Sequence, residues 1–284
     1  MRYRVLGPLE LWNDGRQVPL PPAKWRMLLA VLLCEANQVV TTDRLIEELW
    51  GNHPPQSAPK LLQSYISRLR RALTDDTGHT LTTHVHGYRA HGYRLIVGPG
   101  ELDAHRFDDL ITQARRELDR NNPDVAATHL TQALDLWRDT PFADVPPTPA
   151  IETETQRLHA CCTQARELRI EARLRLGHHQ ALLDELHTLT TQHPLREGLR
   201  GQLMLALYRS GRQADALAAY RDLHHRLTHE LGIEPGPPLQ QLHQRILNAD
   251  PTLLTEDQRP KPLRPAPAPP ATAAVPSPPD PPPA

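Results

Sequence analysis

Hydrophobic positions along the chain follow two periods and then stop. Near the start, Tyr3, Val5, Leu9 and Leu11 alternate with other residues around a Gly7-Pro8 break, the pattern of short strands. Asn13-Asp14-Gly15 predicts a hairpin turn, because these residues tolerate positive φ. Pro19, Pro21 and Pro22 end this sheet. A helical period follows. Trp25, Leu28, Leu29, Leu32 and Leu33 form the apolar face of a helix over residues 23–36. Thr41 or Thr42 caps a second helix, residues 43–50, whose acidic start suits the helix dipole. Gly51-Asn52-His53-Pro54-Pro55 is a loop by composition, and a third helix spans residues 57–73. Residues 80–86 and 93–97 read as two strands, joined by a turn through Gly87 and Gly92.

After Gly98-Pro99-Gly100 only helices are predicted, at residues 103–119, 123–138, 150–176, 179–192, 196–210, 213–230 and 237–248. Asn121-Asn122-Pro123, Pro146-Pro147, Gly177, Pro194, Gly211-Arg212 and the stretch 232–238 separate them. Gly177 and Gly211 lie 34 residues apart, the tetratricopeptide period. Leu203, Gly211, Ala216 and Tyr220 match small-residue and aromatic positions of that motif, and Pro194 sits where it ends a helix. Stacked helix pairs are the favoured reading; an ordinary helical bundle with coincident spacing is the alternative. Beyond Pro251, proline and alanine dominate. That composition has no means of building a core and is expected to be disordered or extended.

The third helix carries the most information. On a wheel of about 100° per residue, Leu62, Ile66, Leu69 and Leu73 fall within a stripe about 60° wide that must face a core. Lys60, Ser64, Ser67 and Arg71 lie opposite, flanked by Gln63, Arg68 and Arg70. No acid stands between Lys60 and Arg71. A helix fits the major groove of B-DNA, and these side chains read base edges or grip phosphates there. A solvated amphipathic face is the commoner meaning of charges opposite leucines. The context favours DNA, because a sheet, three helices and a two-stranded hairpin make a winged helix-turn-helix. His86, Tyr88, Arg89 and His91 are placed in the turn of its wing, where an arginine reaches the minor groove or a phosphate.

Length and charge agree with a composite chain. The 284 residues suggest two domains and a tail, with 12 of the 30 prolines in the last 25 residues. Residues 1–100 hold 12 Lys and Arg against 8 acids, whereas residues 101–250 hold 17 Arg against 22 acids. A basic front joined to an acidic middle fits a nucleic-acid module attached to one that binds something else. Only three of the 32 basic residues are lysine, which we read as codon usage before chemistry. The expected domains are 1–98, 99–250 and a disordered tail, 251–284.

Several classes are disfavoured. No apolar run approaches the roughly 18–20 residues needed to cross a bilayer, and Met1-Arg2-Tyr3-Arg4 does not open a signal peptide. Cys34, Cys161 and Cys162 lack CxxC spacing and fit buried thiols in a reducing cytosol better than a disulfide framework or zinc site. His225 and His229 stand at i, i+4, yet no HExxH motif occurs, and no metal or cofactor is expected. No GxSxG elbow or other catalytic constellation points to an enzyme. Trp12, Trp25, Trp50 and Trp137 fall on predicted apolar faces and are expected in the core.

Residues 1–97 resemble the OmpR-type winged-helix domain. Together, residues 1–250 resemble the Streptomyces antibiotic regulatory protein family, whose second half is the bacterial transcriptional activator domain. The motifs are Leu6-Gly7-Pro8-Leu9, DRLIEELWG from Asp43, LQSYISRLRRAL from Leu62, and Gly92-Tyr93-Arg94-Leu95. They continue with Pro194-Leu195-Arg196-Glu197, LMLALYRSGRQADALAAY from Leu203, and ELGIEPG from Glu230. The resemblance implies an α+β winged helix-turn-helix followed by an all-α, tetratricopeptide-like domain. It implies a cytoplasmic, nucleoid-associated transcriptional activator, commonly of secondary-metabolite genes. Such proteins bind direct repeats of double-stranded DNA near promoters, as homodimers or paired protomers, and recruit RNA polymerase holoenzyme. Lys60, Gln63, Ser64, Ser67, Arg68 and Arg71, with Arg89 on the wing, are placed on DNA. Gly51, Asn52, His53 and Gln56 are the polymerase-contact candidates. Larger relatives append an ATPase module; without a GxxxxGK[ST] motif, and with a length that ends at the activator domain, no nucleotide binding is expected here. With no receiver domain ahead of the winged helix, aspartate phosphorylation is not the expected switch. A repressor and a tetratricopeptide-type scaffold are the alternatives. The helical half is expected to serve dimerisation and docking; a groove for a small effector is its other reading.

Overall fold

The computed structural model describes residues 1–20, 23–73, 80–86 and 89–254. Predictions that fall on Pro21, Pro22, Gly87, Tyr88 and residues 255–284 lie outside the described residues. The chain opens with an antiparallel sheet, β1 (Arg2–Arg4), β2 (Glu10–Asn13) and β3 (Arg16–Val18). Its hairpin turns at Asp14 and Gly15, both at positive φ, so that Asn13 pairs with Arg16. Three helices follow: α1 (Ala23–Cys34), α2 (Thr42–Trp50) and α3 (Ala58–Ala72). Thr41 is the N-cap of α2; its hydroxyl accepts the Arg44 amide at 3.3 Å. A second antiparallel sheet, ordered β4 (Val40–Thr41), β6 (Arg89–Leu95) and β5 (Leu81–His86), completes a winged helix-turn-helix.

Gly92 is not part of the wing's turn. It lies within β6, opposite Thr41 and His84. A Cβ there would stand 2.6 Å from the Val40 carbonyl oxygen. Glycine is therefore needed for the close approach of β4, the usual meaning of glycine inside a strand. His91 accordingly belongs to β6, and Arg89 opens that strand.

Beyond the wing the chain is helical: α4 (Asp103–Asp119), α5 (Pro123–Leu134), α6 (Pro149–Arg175), α7 (Leu183–Gln192), α8 (Glu197–Arg209), α9 (Gln213–Arg226) and α10 (Pro237–Leu247). α5 stops four residues before the predicted end, and α9 gives way to a π turn, Leu227–Leu231. The 34-residue spacing is geometric. Gly177 and Gly211, at φ 82° and 77°, end α6 and α8 with the same pair of backbone bonds. His178 N–H reaches the Arg173 carbonyl as Arg212 N–H reaches that of Leu207. Asn121 does the same at the end of α4 without glycine, since asparagine tolerates the left-handed region.

Two apolar cores result. The first runs without a break from Tyr3 and Leu11 through α1–α3 and β4–β6 to Phe107, Leu130 and Ala172. The second holds Ile170, Leu186, Leu203, Leu223, Ile246 and Leu253. α6 spans both: with 27 residues it is about 40 Å long. The folded part does not end at Pro251, because residues 251–253 form a 3-10 turn that buries Leu253 in the second core. The tryptophans depart from expectation as well, since all four are only half-buried. Trp12 sits under the Arg4 guanidinium at 5.1 Å and donates to Glu10, at the surface of the first sheet.

The segment between β1 and β2 is a strap tied to the helical half. Asp103 accepts the amides of Val5 (2.8 Å) and Leu6 (3.1 Å). Asp144 accepts that of Leu9 at 2.7 Å and pairs with Arg26 of α1. Arg138 donates to Glu10 (2.6 Å) and to the Pro8 carbonyl (3.0 Å), while its own amide reaches the Leu6 carbonyl. Gly7, at φ 146°, packs on Arg138, where a Cβ would stand 3.1 Å from the arginine's. On the far side, Glu48 of α2 accepts the Ala150 amide and so helps cap α6.

Replacing Asp103 by alanine strands the Val5 and Leu6 amides and is expected to cost about 1–3 kcal/mol per orphaned group; asparagine, which keeps an acceptor, should cost less. Burial holds the Asp103 carboxyl above its usual range, against the pull of those amides and of Arg138. Its ionisation therefore opposes folding: the contribution is full below the unfolded carboxylate range and is lost as pH rises through the folded pKa. Denaturant titrations from about pH 3 to 7 should show the balance moving towards Asp103→Asn. Gly92→Ala, driven into the Val40 carbonyl, should lose about 1–3 kcal/mol in the same titration.

Candidate nucleic-acid interface

α3 forms because its apolar residues return every three or four positions, with Pro59 in the first turn, where its missing N–H costs nothing. Leu62, Ile66 and Leu69 are buried against α1 and α2, and Leu73 follows at the C-cap. Lys60, Gln63, Ser64, Ser67, Arg68 and Arg71 are all exposed along one side of the molecule. Among the described residues, neither Lys60 nor Arg71 has an ion-pair partner.

An aromatic cluster sets the position of α3. Tyr65 stacks on Trp50 with ring centroids 6.1 Å apart and tilts against Trp25 at 6.5 Å. These contacts join α3 to α2 and α1. Lys24 lies 5.8 Å from the Trp50 ring and donates to the Leu49 carbonyl. Arg68 lies over Trp25 at 5.2 Å, so its guanidinium is oriented by a cation–π contact before any ligand arrives. The half-exposed Trp25 and Trp50 are thus supports of this face. The helical period that placed them on apolar faces carried no sign of that role.

Arg70 has a different task from its neighbours. Its Nε donates to the Leu81 carbonyl at 2.9 Å and its terminal nitrogen to the Thr83 hydroxyl at 2.5 Å. It is a strut between α3 and β5, which sets the wing relative to the helix. The wheel places Arg70 on the flank of the polar face, and only the tertiary structure separates a strut from a free cation. Arg89 opens the partner strand, and its side chain lies outside the described ones. Gly51, Asn52, His53 and Gln56 are all exposed on the loop between α2 and α3. The loop leaves α2 with the Gly51 amide bonded to the Glu47 carbonyl.

Burial pushes the Cys34 thiol well above its usual range, helped by Glu154, Glu35 and Glu48, so it stays protonated. Burial also raises the Cys162 thiol. Among the described residues no group of three or more His, Cys, Asp and Glu side chains is arranged to hold a metal ion. The His225 and His229 rings approach to 4.1 Å between centroids. No described helix is long and apolar enough to cross a membrane.

Comparison with known proteins follows the same division. Residues 15–95 match the family described as transcriptional regulatory protein, C terminal, and residues 102–247 match the bacterial transcriptional activator domain. The chain is 39% identical over 258 residues to the regulatory protein DnrI of Streptomyces peucetius, covering 88% of this chain and 93% of DnrI. It is 42% identical over 253 residues to the regulatory protein AfsR of Streptomyces coelicolor, covering 89% of this chain but only 25% of AfsR. Among solved structures it resembles Mycobacterium tuberculosis EmbR in complex with a low-affinity phosphopeptide, with a TM-score of 0.82 and 35% identity. That likeness covers 88% of this chain and 65% of the EmbR chain. DnrI and AfsR are named as regulatory proteins, and EmbR of Mycobacterium tuberculosis as a transcriptional regulatory protein. With both domains matched in order and the resemblance extending over nearly all of DnrI, the chain belongs to the Streptomyces antibiotic regulatory protein family of transcriptional regulators.

Proposed function

We propose that this chain activates transcription by binding direct repeats of double-stranded DNA near promoters and recruiting RNA polymerase holoenzyme. The observation that carries the DNA reading is the outer face of α3, whose six candidate donors are all exposed and whose length contains no acid. In this reading α3 enters the major groove. Lys60, Gln63, Ser64, Ser67, Arg68 and Arg71 contact bases and phosphates. Arg89 on the wing meets the adjacent minor groove or a phosphate.

The exposed loop bearing Gly51, Asn52, His53 and Gln56 is assigned to polymerase. It lies beside α3 and is exposed along its length. Two protomers on direct repeats must dock head to tail and not through a two-fold axis. The chain acts in the cytoplasm, on the nucleoid. Its similarity to DnrI and AfsR supports a target among antibiotic biosynthetic genes.

A gel-shift titration against promoter fragments, with random DNA as competitor, tests the reading. A shift that survives competition and weakens with salt is expected, with log K falling by about 0.9 per decade of salt for each phosphate contact. Arg71→Ala should weaken specific binding by ~1–3 kcal/mol if it reads a base, whereas an equal loss on random DNA would mark a phosphate contact. Lys60→Ala and Arg71→Ala binding like the parent chain would refute the DNA role of α3. A promoter reporter that falls when the protein is supplied would make it a repressor.

A further inference from the structure

Three cations lie over tryptophan rings among the described residues, and they differ in what their donors meet. Arg4 lies over Trp12 and pairs with Glu10 at 3.6 Å. Lys24 lies over Trp50 and donates to the Leu49 carbonyl. Arg68 lies over Trp25 at 5.2 Å, and among the described residues its guanidinium has no ion pair and no hydrogen bond. A ring under the face of a guanidinium leaves the N–H donors free at its edge. Arg68 is thus an exposed arginine that is oriented while its donors are unspent.

We infer that Arg68 grips a DNA phosphate at the wall of the major groove, and that Trp25, a residue of α1 outside the reading helix, is its positioning residue. The inference rests on the DNA reading of α3 and gives one of its donors a definite task. In that reading Lys60, Ser64, Ser67 and Arg71 face the groove floor, and Arg68 lies about 70° to one side of their centre on the helical wheel. With its side chains an α-helix is about 10–12 Å across, and the major groove is about 12 Å wide, so a donor on the flank meets the sugar–phosphate wall and not a base edge. Arg70, on the opposite flank, is spent on Leu81 and Thr83. A phosphate supplies the acceptor oxygens that Glu10 supplies to Arg4, in the bidentate geometry that suits a guanidinium.

Trp25 serves as a shelf because it is itself braced. Its ring tilts against Tyr65 at 6.5 Å, and Tyr65 stacks on Trp50 of α2 at 6.1 Å. Tyr65 stands three residues before Arg68, on the same flank of α3, so the ring and the guanidinium share the seam between α3 and α1. A free arginine side chain loses rotamer freedom when it binds, and one already oriented loses less. Trp25 acts through Arg68 in this arrangement. Removing the ring should therefore lower affinity without changing the number of phosphates contacted.

Gel shifts on the full chain at several salt concentrations, with promoter and random DNA, test the pair in a double-substitution cycle. Arg68→Ala should weaken binding about tenfold on both DNAs and lower the slope of log K against log salt by about 0.9, the value of one phosphate. Trp25→Leu should weaken binding about three- to tenfold with the slope unchanged, and should cost nothing further in the Arg68→Ala chain. Trp25→Phe, which keeps a ring beneath the guanidinium and against Tyr65, should recover most of the loss. A Trp25→Leu loss of equal size with and without Arg68 would mark a packing role for the ring and overturn the inference. So would an Arg68→Ala loss confined to promoter DNA, which would place Arg68 on a base. Arg68→Ala binding like the parent chain while Lys60→Ala and Arg71→Ala weaken would overturn this assignment alone. All three binding like the parent would overturn the DNA reading of α3 along with it.

Discussion

Asp103 and Arg138 hold the chain's first ten residues against its second half, and the placement of everything else follows from that hold. The strap at residues 5–10 buries Val5, Leu6 and Leu9 in the first core, and its amides and carbonyls are met by Asp103, Asp144 and Arg138. Buried backbone groups left without partners are costly, so this set of bonds decides where the first sheet sits. Once it is seated, Tyr3 and Leu11 close on Phe107, and the winged helix shares one continuous core with α4, α5 and the first half of α6.

The helix proposed to read DNA, α3, is carried on a broad base. α3 is braced on its inner side by leucines and by the Trp25, Trp50 and Tyr65 rings, and at its C-terminal end by Arg70. α2, which sets the angle of α3, also caps α6 through Glu48. The winged helix and the helical half are thus joined by a shared core and by the Glu48 contact as well as by the chain itself.

What the sequence made legible follows from range. Elements whose signal lies within a dozen residues were readable: the leucine stripe of α3, the Asp14-Gly15 hairpin, the Thr41 cap and the glycines 34 residues apart. The exposed face of α3 was legible for the same reason, since buried positions define their opposites. Features set by distant contacts were not. Gly92 reads as a turn residue until Val40 is seen against it. Arg70 looks like another free cation until Leu81 and Thr83 are beside it. Trp12 and Trp25 look like core because tryptophan usually is, whereas here each serves as a platform for an arginine. The strap is the extreme case, because its partners lie about 100 residues away and leave no periodic trace. Leu253 is similar: one buried leucine after Pro251 is hidden by the composition around it.

The winged helix and the first helical pairs share one core and should open as one cooperative unit, with the later pairs as a second. Hydrogen–deuterium exchange across a guanidinium series tests it most directly. Peptides from β1–β2, α1 and α4–α5 should lose protection at one denaturant concentration, while peptides from α8–α9 follow their own transition. If α4–α5 keeps its protection after β1–β2 and α1 have opened, the shared core and the strap do not bind the two halves.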